Sequence, residues 1–263
     1  MKSSQFIELK AVDRRYETGL LALEGVDMQI GQGEFVSLLG PSGCGKSSVL
    51  RLMAGLDRAS AGDVLRKGEA ARGPAGDTGF VFQEPTLMPW ANVATNVELP
   101  LRLQGAPADS REKAARAALQ LVGLGDFAES SPRELSGGMK MRAAIARALV
   151  TQPSLLLLDE PFAALDEITR NGLNEALLQL WKPKPRGAAA FTSVFVTHSI
   201  GEAVFLSQRV LVMSARPGRV VDEVEIKAAY PRDASFRQSK VYLQACARLT
   251  ESLARASEET ALG

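Results

Sequence analysis

Gly40-Pro-Ser-Gly-Cys-Gly-Lys-Ser47 satisfies G-x-x-x-x-G-K-[ST] at all eight positions, the pattern of a loop that holds nucleotide phosphates. Its glycines let the backbone wrap closely round the anion and turn N–H groups inward. A helix after the loop would add partial positive charge at its N-terminus. Lys46 would reach the β- and γ-phosphates, and the Ser47 hydroxyl would ligate Mg2+. Cys44 fills an unconstrained position of the motif, where a small filler suffices. Lying beside the phosphates, its thiol is expected to be open to alkylation and shielded by nucleotide.

Leu155-Leu-Leu-Leu-Asp-Glu160 brings two adjacent acids to the end of an apolar run. Asp159 would hold Mg2+ through water, and Glu160 is the candidate general base for an attacking water. A cap on a helix starting near Asp166 is the blander role for both. Two acids at the end of a buried strand are costly unless something uses them. His198, the chain's single histidine, follows the apolar run Ser193–Thr197. It would stand at the same edge and could bond the γ-phosphate and the water. Gln83 closes the expected strand Thr78–Gln83, again at this edge, with an amide oxygen for Mg2+ or water.

These residues need a sheet whose strands end together. Glu34–Leu39, Leu155–Asp159 and Ser193–Thr197 read as buried strands, with helices over Ser47–Ala54 and Asp166–Trp181. Strand-helix alternation implies a mainly parallel sheet covered by helices, whose ligands bind outside the carboxyl ends of the strands. Phe6–Val12 and Gly25–Ile30 read as strands, with Gly31–Gly33 as a turn. The region Glu84–Val150 reads as a mostly helical insertion, with helices over Arg111–Val122 and Met139–Val150. Lys182–Thr192 is a proline-broken, exposed connection. Val210–Met213 and Val220–Val224 form a hairpin round Arg216-Pro-Gly218. A charged helical segment runs from Ser235.

The chain has 263 residues, 46% of them apolar and 23% charged, with a net charge of +1. That balance argues against a general nucleic-acid binder. Two cysteines form no disulfide framework, which fits a reducing compartment. Met1–Asp13 carries four charged residues and no apolar core, so no secretory leader is expected there. Apolar runs such as Leu155–Leu158 fall far short of the ~20 residues that span a bilayer. A soluble protein is expected, reaching a membrane only by docking on another protein.

From Tyr16 to Gly218 the chain resembles the ATP-binding subunit of an ABC transporter. Tyr16 matches the adenine-stacking aromatic and Gly40–Ser47 the Walker A loop. Gln83 matches the Q-loop, Leu135-Ser-Gly-Gly-Met139 the signature and Leu155–Glu160 Walker B. Ala164-Leu-Asp166 and His198 match the D-loop and switch histidine. Met139 departs from the commonest signature, which has glutamine there. The finer resemblance, carried by Gly40–Ser48, Leu87-Met-Pro-Trp90, Leu135–Arg142, Glu160–Arg170 and Val196–Ser199 with Glu202–Phe205, is to nitrate, sulfonate and taurine importers.

The resemblance implies a P-loop NTPase fold of α/β class: a RecA-like mainly parallel sheet, an antiparallel β subdomain and an inserted α-helical subdomain. Residues 1–230 would form the ATPase domain, with the insertion at about 85–150, and 231–263 a short helical tail. Gly40, Pro41, Ser42, Gly43, Cys44, Gly45, Lys46, Ser47 and Ser48 would bind ATP with Mg2+. Ser136, Gly137 and Gly138, opening a helix, would bind the γ-phosphate held by a second subunit. Implied partners are that second ATPase subunit, as a homodimer, polytopic membrane permease subunits and, indirectly, a solute-binding protein. The implied place is the cytoplasmic face of the cell membrane. Leu87, Met88 and Trp90 would line a groove for the permease, against the alternative that Trp90 is a core residue of the insertion. A soluble non-transport ABC ATPase is the competing class. Such proteins typically insert a long coiled coil or carry two cassettes, and this chain does neither.

Overall fold

Every residue of β3 (Phe35–Leu39) is buried, the pattern of a strand covered on both faces. It lies third in a six-stranded sheet in the computed structural model, in which residues 5–181 and 191–258 are described. The order is β10-β9-β3-β8-β7-β6. Here β6 is Thr78–Val81, β7 Leu155–Asp159, β8 Thr192–Thr197, β9 Arg209–Met213 and β10 Val220–Glu225. Neighbours from β9 through β6 are parallel, and β10 closes the edge antiparallel to β9. The loops after β3, β7 and β8 therefore emerge at one edge.

A second sheet is antiparallel, in the order β2-β1-β4-β5. It contains β1 (Gln5–Arg15), β2 (Leu21–Gly31), β4 (Ala61–Arg66) and β5 (Glu69–Ala70). Its inner face packs with α1 (Lys46–Met53) and alternate residues of the parallel strands in one apolar cluster, which includes Leu9, Val26, Leu50, Leu157 and Val194. The other face of the parallel sheet packs against α4 (Gly137–Leu149) and α5 (Glu167–Trp181). Trp181 meets Phe35 edge-on, with ring centroids 5.7 Å apart, a favoured aromatic geometry.

Between β6 and β7 lie α2 (Val93–Leu103), α3 (Ala108–Leu121) and α4, the expected helical insertion. The sequence reading had no separate α2, which contains Pro100 in its interior. Asn92 caps it, Oδ1 accepting from Thr95 N–H at 2.8 Å. Fully buried Asn96 fixes the preceding loop. It accepts from Met88 N–H at 2.6 Å and donates to the carbonyls of Met88, Ala91 and Asn92 at 3.0–3.2 Å.

Several expectations shift. The strand expected to reach Gln83 stops at Val81. Thr192 belongs to β8 and, like Phe191, is buried. Its Oγ1 accepts from Gly33 N–H at 2.9 Å, so the exposed connection cannot extend over either. The rest of that stretch, 182–190, lies outside the described residues. Helices α6 (Ile200–Leu206) and α7 (Lys240–Glu258) cover the β9–β10 end of the sheet. There Leu249 and Ala256 of α7 are buried against β9 and β10.

Candidate functional site

The loop between β3 and α1 is built by close approaches that exclude side chains. Gly45 has φ +101° and a Cβ there would lie 2.6 Å from Leu23 Cδ2; at Gly40 it would lie 2.9 Å from the Met213 carbonyl oxygen. Lys46 begins α1 and is almost completely buried. Its ammonium donates to the carbonyls of Gly40 and Pro41, both at 2.9 Å. A buried ammonium must be so satisfied.

Strand β7 delivers its acids to this loop. Ser47 Oγ donates to Asp159 Oδ1 at 2.9 Å. Burial pushes the Asp159 carboxyl above its ordinary range, and the Ser47 hydrogen bond opposes the rise. Glu160 takes a left-handed backbone, φ +44°, a conformation that L side chains adopt at a cost and that clusters at functional sites. Its N–H donates to the Val196 carbonyl of β8 at 3.0 Å. Its two carboxylate oxygens are split: Oε1 lies 3.7 Å from Lys46 Nζ and Oε2 lies 3.3 Å from His198 Nδ1. The capping role belongs instead to Asp166, whose Oδ1 accepts from Thr169 N–H at 2.9 Å.

Residues beyond the motifs set the backbone on either side of His198. Thr197 Oγ1 donates to Glu202 and accepts from Ser199 N–H at 2.9 Å. Glu202 is buried, and burial pushes its carboxyl up. Arg170 Nε lies 3.5 Å from Glu202 Oε1, and Arg170 Nη2 donates to the Leu165 carbonyl at 2.7 Å. This links the Ala164–Asp166 turn to the histidine strand. The strings that carry the finer resemblance contain these residues, but nothing in their spacing signals the contacts.

Tyr16, Lys46, Ser47, Ser48, Glu160 and Arg216 share the lining of a cleft of about 220 Å³. Tyr16 Oη and Ser48 Oγ are 2.8 Å apart, and the Arg14 guanidinium stands 4.6 Å from the Tyr16 ring centre. Arg216 was read only as part of a turn. Gln83 is exposed, two residues past β6, with no hydrogen bond to these groups. Cys44 corrects the alkylation expectation. Its side chain is 1% exposed, its sulfur packs towards Gly40, and burial pushes the thiol up. The residue is a filler, as its place in the motif allows.

The second glycine string stands apart from that cleft, whose lining includes none of its residues. Ser136 caps α4, Oγ accepting from Met139 N–H at 3.3 Å. Gly137 is exposed. Gly138 is buried, and a Cβ on it would lie 2.8 Å from the Thr169 methyl of α5.

A family model described as ABC transporter matches residues 23–163. An ABC transporter ATP-binding protein of Methanocaldococcus jannaschii, uncharacterised, is 47% identical over 81% of this chain and 78% of its own length. The aliphatic sulfonates import ATP-binding protein of Bacillus cereus is 44% identical over 82% of this chain and 83% of its own. Among solved structures, a dimeric ATP-binding cassette bound to ADP and phosphate aligns with a TM-score of 0.74 at 34% identity, covering 85% of this chain and 100% of that one. A subunit of the cbiONQ ABC transporter complex of Clostridium perfringens aligns with a TM-score of 0.76 at 27% identity, covering 95% and 100%. On the order of its motifs, its fold and these likenesses, the chain belongs to the ABC transporter family as an ATP-binding, ATP-hydrolysing subunit.

Proposed function

We propose that this chain energises a bacterial importer of a small solute, hydrolysing ATP in a head-to-tail pair of ATPase subunits. The solute class, by likeness to the sulfonate-import relative and its wider class, is an oxyanion, sulfonate or heterocyclic vitamin precursor. The reading of the chemistry rests on one observation: Glu160 is held between Lys46 and His198, next to the Ser47–Asp159 pair.

That geometry, together with the family resemblance for Tyr16, supports the following division of labour. P-loop N–H groups and Lys46 bind the phosphates, and Tyr16 stacks on the adenine. Glu160 accepts the proton of the attacking water, while His198 bonds the γ-phosphate and orients Glu160. Ser47 and Asp159 present hard oxygens at 2.9 Å, with Gln83 as a further oxygen donor near the same edge, and this donor set fits Mg2+. Bound there, Mg2+ would neutralise charge developing on the phosphates.

Ser136, Gly137 and Gly138 lie off this chain's own cleft, on the N-terminus of α4, and would close the cleft of a second copy. The dimeric relative supports that pairing. Trp90 is 82% exposed and, with Met88, Leu99 and Arg102, lines a groove that would receive the membrane permease, whereas Leu87, expected there, packs against the helical core instead. Among the described residues no helix is long and apolar enough to cross a membrane; by the family resemblance, this surface would hold the subunit at the membrane's cytoplasmic face.

Glu160→Gln tests the reading. ATP binding should persist, turnover should fall by about 100-fold or more, and ATP should stabilise a dimer on gel filtration. Turnover at the unaltered rate would remove Glu160 as the base. A monomer under all nucleotide conditions would remove the paired arrangement.

A further inference from the structure

The turn Ala215–Gly218 joins β9 to β10 and lies directly on the P-loop. Gly218 N–H donates to the Ala22 carbonyl at 2.9 Å, and Glu24 N–H donates to the Gly218 carbonyl at 3.1 Å. A Cβ on Gly218 would stand 2.0 Å from the Cys44 carbonyl oxygen. The turn is thus pinned between β2 and the loop, which brings Arg216 to the P-loop. Arg216 Nε and Nη2 donate to the Gly43 carbonyl at 3.1 and 2.9 Å.

A strut for the P-loop would be satisfied by that bond alone. A guanidinium has five N–H donors in a rigid fork, and the Gly43 bond uses two. The same side chain is exposed and lines the cleft with Tyr16, Lys46 and Glu160. Charge points the same way. Lys46 stands 3.7 Å from Glu160, so these two opposite charges offset each other, and Arg216 is the further cation on a lining that also holds Ser47, bonded to Asp159. Planar donors matched to anionic oxygens favour phosphate over sugar or base.

We infer that Arg216 contacts the phosphate chain of the bound nucleotide, from the rim that the β9–β10 turn holds against the P-loop. The inference rests on the nucleotide-site reading above.

ADP affinity of the intact chain, by calorimetric titration with Mg2+, tests it in Arg216→Gln and Arg216→Lys. Loss of one charge-assisted hydrogen bond should weaken Arg216→Gln by about tenfold. Arg216→Lys, which keeps the charge but loses the planar fork, should fall between Arg216→Gln and the unaltered chain. Unchanged affinity in Arg216→Gln overturns the inference. Equal loss in both variants also overturns it, leaving only the strut. If Arg216→Gln does not fold, the unaltered chain decides through phenylglyoxal modification of Arg216, located by peptide mass. Slowing by Mg-ADP supports the contact, and an unchanged rate overturns it. Lys46→Ala separates the two readings. If it binds ADP like the unaltered chain, the nucleotide-site reading fails and this one with it. If Lys46→Ala loses binding while Arg216→Gln does not, only the Arg216 contact fails.

Discussion

Ser47 and Asp159, 112 positions apart, meet in a hydrogen bond of 2.9 Å. Burial raises the Asp159 carboxyl, so the folded chain disfavours its charged form. The cost is present at pH 7 and disappears as pH falls below the ordinary carboxylate range. Asp159→Asn keeps an oxygen for Ser47 and removes the charge. Its melting temperature at pH 7 should rise, while Mg2+-dependent nucleotide binding falls. At about pH 3 the difference in melting should vanish. A lower melting temperature at pH 7 would contradict this account.

Two glycines should respond oppositely to alanine. At Gly218 the new methyl would sit 2.0 Å from the Cys44 carbonyl oxygen, and backbone must move. Gly218→Ala should cost about 1–3 kcal/mol and weaken ADP binding, because the displaced atoms belong to the P-loop. At Gly137 nothing lies within 4 Å of the added methyl. Gly137→Ala should leave melting unchanged yet weaken the ATP-stabilised dimer, if α4 presents its N-terminus to a second copy. Thermal melts and gel filtration with ATP check both.

Trp90→Ala should change unfolding free energy by no more than about 0.5 kcal/mol, as expected for an exposed side chain. ATPase activity of the isolated subunit should persist, while transport and co-purification with a polytopic membrane protein fall. Loss of activity in the isolated subunit would remove the docking reading.

Thiol labelling of the native protein should reach half-buried Cys246 well before Cys44, whose side chain is 1% exposed. Peptide mapping after limited maleimide treatment measures the order. Early labelling of Cys44, suppressed by ATP, would restore the expectation drawn from its place in the motif.

The residues that meet at the cleft were legible because phosphate chemistry restricts residue types at fixed spacing. Gly40–Ser47 and Leu155–Glu160 declare themselves without a fold. What the spacing hides is direction. The motif puts Cys44 beside the phosphates, and only the Gly40 approach shows its sulfur turned inward. Arg216-Pro-Gly218 is a turn signal whichever way the guanidinium faces, and its partner Gly43 is 173 positions away. Strand β4 escaped because Ala61–Arg66 has no fully buried residue and so lacks the apolar alternation that marks a strand. Pro100 obscured α2, since a proline usually ends a helix at the preceding residue.

Asn96 has a consequence for how this surface can change. It fixes the Met88–Asn92 loop through backbone atoms alone. The side chains of Met88, Trp90 and Ala91 supply none of those bonds. They are therefore interchangeable fittings on a rigid bracket, and the face proposed to receive the permease could be rewritten without disturbing the proposed nucleotide cleft.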